Sequence, residues 1–293
     1  MNGQTPAAPA DTLTVIIPAF NEAAGIAAVI TDLKLECAEF VSRIIVVDDG
    51  STDETARIAG EQHADVIRHP ANLGYGASLK TGLRSAATTH VATFDADGQH
   101  AAADLRRLWE SRHDAAMVVG ARRAMIHSPL WRMPGKWILG AVASYLVRRR
   151  IPDLNSGLRV LTRDVAARYA HLCPRGFSMS TTLTMALLSR GWPVVFVPID
   201  VRRREGRSTV TVVTGLETAV LLLRIICLFN PLRLFVPASF VVGIIGVGWG
   251  IPFAMAGRGI SVGSMLAIVT AALLFCIGLI CDQVSQLRLE RHE

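Results

Sequence analysis

Two long stretches near the C-terminus carry no charged residue: residues 234–256 and residues 260–281. About 20 apolar residues in a helix cross the hydrocarbon core of a bilayer, so each stretch is long enough to span one. Buried core helices are the alternative. Gly243, Gly246, Gly248, Gly250 and Pro252 would weaken such helices in a soluble protein, whereas membrane helices tolerate Gly and Pro better. Two transmembrane helices are therefore expected within residues 233–285, joined by a short loop around residues 257–259. Arg224 and Arg233 precede the first span and Arg288 and Arg291 follow the second, against Arg258 alone in the loop. That asymmetry predicts cytoplasmic termini, including the tail at 286–293, and a cytoplasmic N-terminal domain.

The 51% hydrophobic content is above the usual range, and these spans account for most of the excess. The opening "MNGQTPAAPADT" lacks a basic n-region followed by an apolar h-region, so residues 1–11 read as a flexible leader and not a signal peptide. Five cysteines without a CxxC pair argue against both a disulfide framework and a zinc site. The net charge of +6 does not imply nucleic acid, because the arginines cluster only at residues 148–150 and 202–204. Anionic headgroups or phosphate-bearing substrates suit them better.

Between residue 13 and about residue 120, short apolar runs alternate with helical patterns. That rhythm predicts an α/β fold with a mostly parallel sheet and helices on both faces. Ligands of such sheets collect at the carboxyl ends of the strands. Polar residues gather there: Asn21 and Glu22 after the first strand, Asp48 and Asp49 after the second, Asp95 and Asp97 after the fourth. Ser51 or Thr52 is expected to cap a helix beginning near Asp53. Residues 129–150 predict an apolar helix or helix pair bearing Trp131, Trp137 and Tyr145, either in the core or at a membrane interface. A turn and strand are expected over 153–162, helices near 163–172 and 178–190, a strand over 193–201 and a juxtamembrane amphipathic helix over 211–232. The catalytic domain is thus assigned to residues 12–210.

The stretch "FDADGQH", residues 94–100, carries the clearest chemistry. An Asp-x-Asp alone is a common strand-end turn, and Gly98 favours that reading. Its setting changes the balance, because several carboxylates converging on one crevice repel unless a divalent cation offsets them. Asp97, Gln99 and Asp95 offer the hard oxygen ligands that suit Mg²⁺ or Mn²⁺. His100, with no partner His or Cys nearby, reads as a hydrogen-bonding residue. Neither a G-x-x-x-x-G-K-[ST] loop nor a G-x-G-x-x-G after the first strand is present, so a kinase-like or dinucleotide-binding function is not indicated.

The segments "VIIPAFNEAAGI", "IIVVDDGSTDET", "NLGYGASLKTGL", "FDADGQH", "VVGARR" and "DLNSGLRV" follow in order and spacing the motifs of the family 2 glycosyltransferases. More closely, the chain resembles the polyprenyl-phosphate glycosyltransferases related to dolichyl-phosphate mannose synthase. The resemblance covers about 200 residues and implies a GT-A fold. It also implies inverting transfer of a hexose from a nucleotide diphosphate sugar, of GDP-mannose or UDP-glucose type, to a polyprenyl phosphate.

By position, Pro18, Phe20, Glu22, Val47 and Asp49 would hold the nucleoside, with Phe20 where the family often has Tyr. Asp95 and Ala96 would contact the nucleotide side, Asp97 with Gln99 the metal, and Arg122 a substrate phosphate. In "RRREGRST", Arg203 would meet the donor and Ser208 the lipid phosphate, while Thr209 stands where Lys is common. Arg148, Arg149 and Arg150 are candidates for drawing in the lipid phosphate, with a solvated helix end as the alternative. Asp153 is a candidate catalytic or positioning carboxylate, or else a turn aspartate. The acceptor phosphate is already anionic, so the larger task is stabilising the departing diphosphate. A processive polysaccharide synthase would carry a Gln-x-x-Arg-Trp motif, which is absent. Transfer to another lipid or polysaccharide acceptor and a non-catalytic binding partner are the alternatives, and a homo-oligomer is compatible with the sequence.

Overall fold

In the computed structural model, residues 11–123, 133–174, 176, 179–201 and 214–290 are described. The first strand, β1 (Leu13–Ala19), is buried along its whole length, as expected of an apolar run covered on both faces. It pairs in parallel with β2 (Val41–Asp48), which pairs with β3 (Asp65–Arg68); on its other side β1 pairs in parallel with β4 (His90–Thr93). Beyond β4 come β6 (Arg159–Thr162), β5 (Met117–Arg122) and β7 (Val194–Ile199), giving the order β3-β2-β1-β4-β6-β5-β7. Only β6 runs against the others.

Helices α1 (Ile26–Cys37), α2 (Thr55–Glu61), α3 (Tyr75–Ser85) and α4 (Ala102–Glu110) connect the first strands. In α1 the buried residues Ile26, Val29, Ile30, Leu33 and Cys37 form one helical face against the sheet. The chain continues through α5 (Met133–Val147), α6 (Arg163–Tyr169) with a following 3-10 turn (Ala170–Leu172), and α7 (Met179–Ser189). The alternating strand-helix rhythm expected over residues 13–120 is therefore present. The antiparallel β6 departs from it, with a consequence for the site: its N-terminal end, Arg159, pairs with Thr93 of β4 and Val119 of β5. The loop ahead of β6 is thereby delivered to the edge where β4 and β5 end.

Two compact units divide the chain, one formed by residues 1–140 and 150–210, the other by 141–149 and 211–293. The second contains α8 (Thr214–Phe229), α9 (Leu232–Met255) and α10 (Val262–Glu290). The juxtamembrane helix expected over 211–232 ends at Phe229. Pro231, which lacks the N–H to continue a helix, starts α9 instead. Leu232–Met255 and Val262–Leu287 have mean hydropathies of 2.0 and 2.6, and only 11% of each is buried, so they are long and apolar enough to cross a membrane and are not core helices. They pack as an antiparallel hairpin in which Gly246 faces Ala267 and the Ser264 hydroxyl donates to the Gly246 carbonyl at 2.6 Å. In the same unit Arg233 donates to the carbonyls of Tyr145 (2.5 Å) and Leu146 (2.7 Å), satisfying the end of α5. Trp131 and residues 202–213 lie outside the described residues.

Candidate active site

The loops after β1 and β2 are tied together backbone to side chain. Asn21, at φ 57°, donates its N–H to Ser51 Oγ (3.0 Å) and accepts the Thr52 N–H on Oδ1 (2.9 Å). Glu22 N–H reaches Thr55 Oγ1 at 2.9 Å, and Ala23 N–H reaches Asp53 Oδ2 at 3.2 Å. The expected cap on α2 is thus corrected. Ser51 serves Asn21, the helix begins at Thr55, and Asp53 Oδ1 accepts the Thr55 N–H at 3.0 Å. Asp48 is buried, accepting the Ser51 N–H at 2.9 Å with Arg68 Nε 3.1 Å from its other oxygen.

Asp49 holds the next loop. Its oxygens accept the N–H groups of Leu73 (3.0 Å) and Gly74 (2.8 Å), and His69 Nδ1 lies 2.7 Å away with its Nε2 3.0 Å from Thr81 Oγ1. Burial raises the Asp49 pKa, but these hydrogen bonds outweigh it and hold the carboxyl below its usual range. Pro18 and Val47 are buried cross-strand partners, Glu22 is half-buried, and Phe20 is 43% exposed. An exposed aromatic ring beside the acidic loops is a surface on which a planar base can stack.

At the end of β4, Phe94 is buried and Asp95 turns into the site. Tyr75, the first residue of α3, donates its hydroxyl to Asp95 Oδ1 at 3.0 Å, and His100 Nε2 lies 3.7 Å from Oδ2. Burial raises the Asp95 pKa; His100, Tyr75 and the Arg122 charge together bring it below normal. Gly157 presses on this carboxylate so closely that a Cβ there would lie 1.9 Å from Oδ2. Ala96 is buried. The turn Ala96–Gln99 has Gly98 at φ 69°, and the Gln99 N–H reaches Asp97 Oδ1 at 3.2 Å. His100 packs edge-on to Phe94, and its buried Nδ1 has no hydrogen-bond partner among the described residues.

Among the described residues no three His, Cys, Asp or Glu side chains form a closed cage. Two carboxylates on one turn, with an adjacent amide oxygen, fit instead a hard divalent ion that shares its shell with substrate oxygens. Asp97, Gln99 and Asp95 are the residues that would hold it.

Arg122, at the end of β5, forms a bidentate pair with Asp153: Nε to Oδ2 is 2.6 Å and Nη2 to Oδ1 is 2.9 Å. Asp153 also accepts the Asn155 N–H at 3.0 Å, so it closes the turn while it pairs with Arg122. Burial raises its pKa, but Arg122 and the Asn155 N–H outweigh that and keep it a carboxylate. Arg148, Arg149 and Arg150 form an exposed run after α5, with Arg148 at φ 54°. Arg203, Ser208 and Thr209 lie outside the described residues.

Tyr75 and Arg159 lie within family motifs but have no role assigned from the sequence, and His69 lies outside those motifs. The tyrosine at the start of α3 in "NLGYG" was the available signal for Tyr75. Arg159 and His69 offered none, because their partners lie on other elements. A cavity of about 410 Å³ opens at the opposite, amino edge of the sheet, but its Asp11 is already paired with Arg112 (2.6 Å) and His90 (2.8 Å). The convergent carboxylates are at the carboxyl edge.

The sequence profile of Glycosyl transferase family 2 matches residues 14–178, and that of the GtrB C-terminal hairpin matches residues 230–287. An uncharacterized protein of Methanocaldococcus jannaschii is 31% identical over 223 residues, 71% of this chain and 89% of its own. The polyprenol monophosphomannose synthase of Mycolicibacterium smegmatis is 28% identical over 225 residues, 69% of this chain and 83% of its own. In the solved structures, glucosyl-3-phosphoglycerate synthase from Mycobacterium tuberculosis, in complex with Mn²⁺, UDP-glucose and phosphoglyceric acid, superposes with a TM-score of 0.60 at 20% identity. That match covers 74% of this chain and 79% of the other. The likeness is one of fold, and the mostly parallel, GT-A-like sheet is shared.

Proposed function

The chain belongs to glycosyl transferase family 2, and from that premise we propose that it transfers a hexose, with inversion, from a nucleotide diphosphate sugar to a polyprenyl phosphate at the cytoplasmic face of a membrane. One observation carries the reading: the Asp95–Asp97 turn and the Arg122–Asp153 pair meet at one sheet edge, in a chain whose α9–α10 hairpin is apolar enough to span a bilayer. The name of the Mycolicibacterium relative supports the acceptor class, and the Mycobacterium tuberculosis complex supports Mn²⁺ with a UDP-sugar in this fold.

Phe20, with Pro18, Glu22, Val47 and Asp49, receives the nucleoside, and Ala96 with Asp95 contacts the nucleotide side. Asp97, Gln99 and Asp95 would hold Mg²⁺ or Mn²⁺, which would offset charge on the departing diphosphate. Arg122 adds a fixed cation beside it. An acceptor phosphate oxygen attacks the anomeric carbon opposite the diphosphate. The new carbon–oxygen bond forms as the old one breaks, and its electron pair leaves with the nucleoside diphosphate. No proton needs removing from an anionic phosphate, which suits Asp153 to positioning Arg122 more than to strong base catalysis. Arg148, Arg149 and Arg150, with Arg203 and Ser208, draw in the two phosphate-bearing substrates.

The test supplies the purified full chain with radiolabelled UDP- and GDP-sugars, undecaprenyl or dolichyl phosphate, and Mg²⁺ or Mn²⁺. Label entering the organic phase identifies the donor; its absence with every donor rejects the reading. Asp97→Ala abolishes transfer in a folded protein, and retained transfer rejects the metal assignment.

A further inference from the structure

Arg159 opens β6 and is only 2% exposed, one of the largest fully buried side chains of the chain. Burial lowers its pKa to about 10, which still leaves it charged at neutral pH. A buried cation carries a large desolvation penalty, and an apolar side chain of similar volume would fill the space without it. Its hydrogen-bond acceptors are all uncharged. Nε bonds the Ser156 carbonyl (2.8 Å), Nη2 the Leu154 carbonyl (2.8 Å), and Nη1 the Ser180 carbonyl (2.9 Å) and Thr184 hydroxyl (2.6 Å) of α7.

Two of those bonds fall on the loop that the antiparallel β6 brings to the site, and two on α7. Asp153, just before the clamped Leu154, holds Arg122. Asn155 Oδ1 accepts the Thr181 hydroxyl at 2.6 Å. Gly157, just after the clamped Ser156, presses on Asp95 and gives its carbonyl to Thr93 Oγ1 at 2.5 Å. A planar guanidinium can bond two carbonyls at once in fixed geometry, which an ammonium cannot.

We propose that Arg159 is a positioning residue for glycosyl transfer: its buried fork fixes the 153–157 loop against α7, so that Asp153 meets Arg122 and Gly157 meets Asp95 in one rigid arrangement. The proposal rests on the transferase reading. Arg159 touches neither substrate, and acts through the two site carboxylates.

The test uses Arg159→Lys and Thr184→Val in the full chain, read by steady-state transfer, thermal unfolding and hydrogen exchange of the 154–158 amides. A loop loosened by about 1 Å can cost up to about 100-fold in rate. Arg159→Lys is expected to lower kcat about 10- to 100-fold with donor KM changed less than about twofold. Exchange at 154–158 becomes faster while global unfolding persists as one transition. Thr184→Val, which removes one acceptor with little change in shape, lowers kcat by a smaller factor in the same pattern. Folded Arg159→Lys with wild-type kcat and exchange overturns the proposal, as does a rise in KM alone. Should Arg159→Lys fail to fold, Thr184→Val with wild-type kcat and exchange overturns it by assigning Arg159 to stability alone. If the wild type transfers no sugar, the transferase reading fails separately, and the exchange measurement still decides whether Arg159 holds the loop.

Discussion

Replacing Gly157 by alanine tests the geometry of the site at its tightest point. A Cβ built there lies 1.9 Å from Asp95 Oδ2 and 2.5 Å from its Cγ, so carboxylate and loop must separate by about 1.5 Å to reach the 3.4 Å of an ordinary contact. The loop cannot easily yield, because Arg159 bonds the carbonyl before it and Thr93 bonds Gly157's own. Asp95 must therefore move, away from the Tyr75 hydroxyl at 3.0 Å. Overpacking of this kind typically costs about 1–3 kcal/mol of stability. A displacement of about 1 Å at reacting groups can cost about 100-fold in rate, or about 2.7 kcal/mol. Gly157→Ala is accordingly expected to lower kcat by about two orders of magnitude, measured by label transfer to lipid, with a smaller loss in thermal stability. Gly191→Ala, before β7 and away from the site, is the control: nothing lies within 4 Å of a Cβ added there, and only the φ of 75° makes the substitution strained. It should cost about 1 kcal/mol in stability, mostly through the backbone. Gly157→Ala with activity within about twofold of wild type would refute the claim that this contact positions Asp95.

Arg122→Lys loses the bidentate geometry, and removing one charge-assisted hydrogen bond is worth about 1.5–3 kcal/mol, so kcat should fall about 10- to 150-fold; a stopped-time transfer assay reads it. Chelation with EDTA should abolish transfer, with Mn²⁺ or Mg²⁺ restoring it, whereas the thermal unfolding curve should move little, since the protein ligands do not close a cage. Asp49, Asp95 and Asp153 all have folded pKa values below the usual 3.8, so their contribution to stability is complete above that value and is lost as pH falls through the lowered values. Unfolding temperatures should thus be level with respect to these groups above about pH 5 and fall on acidification below about pH 4, and the three corresponding Asn variants should each flatten that acid limb.

The strands β1, β2 and β4 were legible because strands buried on both faces leave continuous apolar runs, and each ends in residues that such a setting would not otherwise keep: Asn21, Asp49, Asp95. The hairpin was legible for a similar reason, since only uncharged runs of that length suit a bilayer. The limits of α2 and α8 were less so. Ser51 and Thr52 were locally good caps, but a partner thirty residues away, Asn21, captured both. Pro231 was present as a break, yet an apolar pattern continuing on either side masked it.

What the chain by itself determines are the features written in local pattern: the parallel α/β rhythm, the acidic strand ends, the Asp-Ala-Asp turn, the two apolar spans and the family motifs. What only the tertiary structure decides is pairing across distance. The antiparallel insertion of β6 between β4 and β5 has no signal within residues 159–162, because its direction is set by which neighbours it meets. From that insertion follow the Arg122–Asp153 pair, the pressure of Gly157 on Asp95 and the burial of Arg159. The first two join groups far apart in sequence, and Arg159 joins its own loop to α7 more than twenty residues on, where hydrophobic periodicity and turn chemistry carry no information.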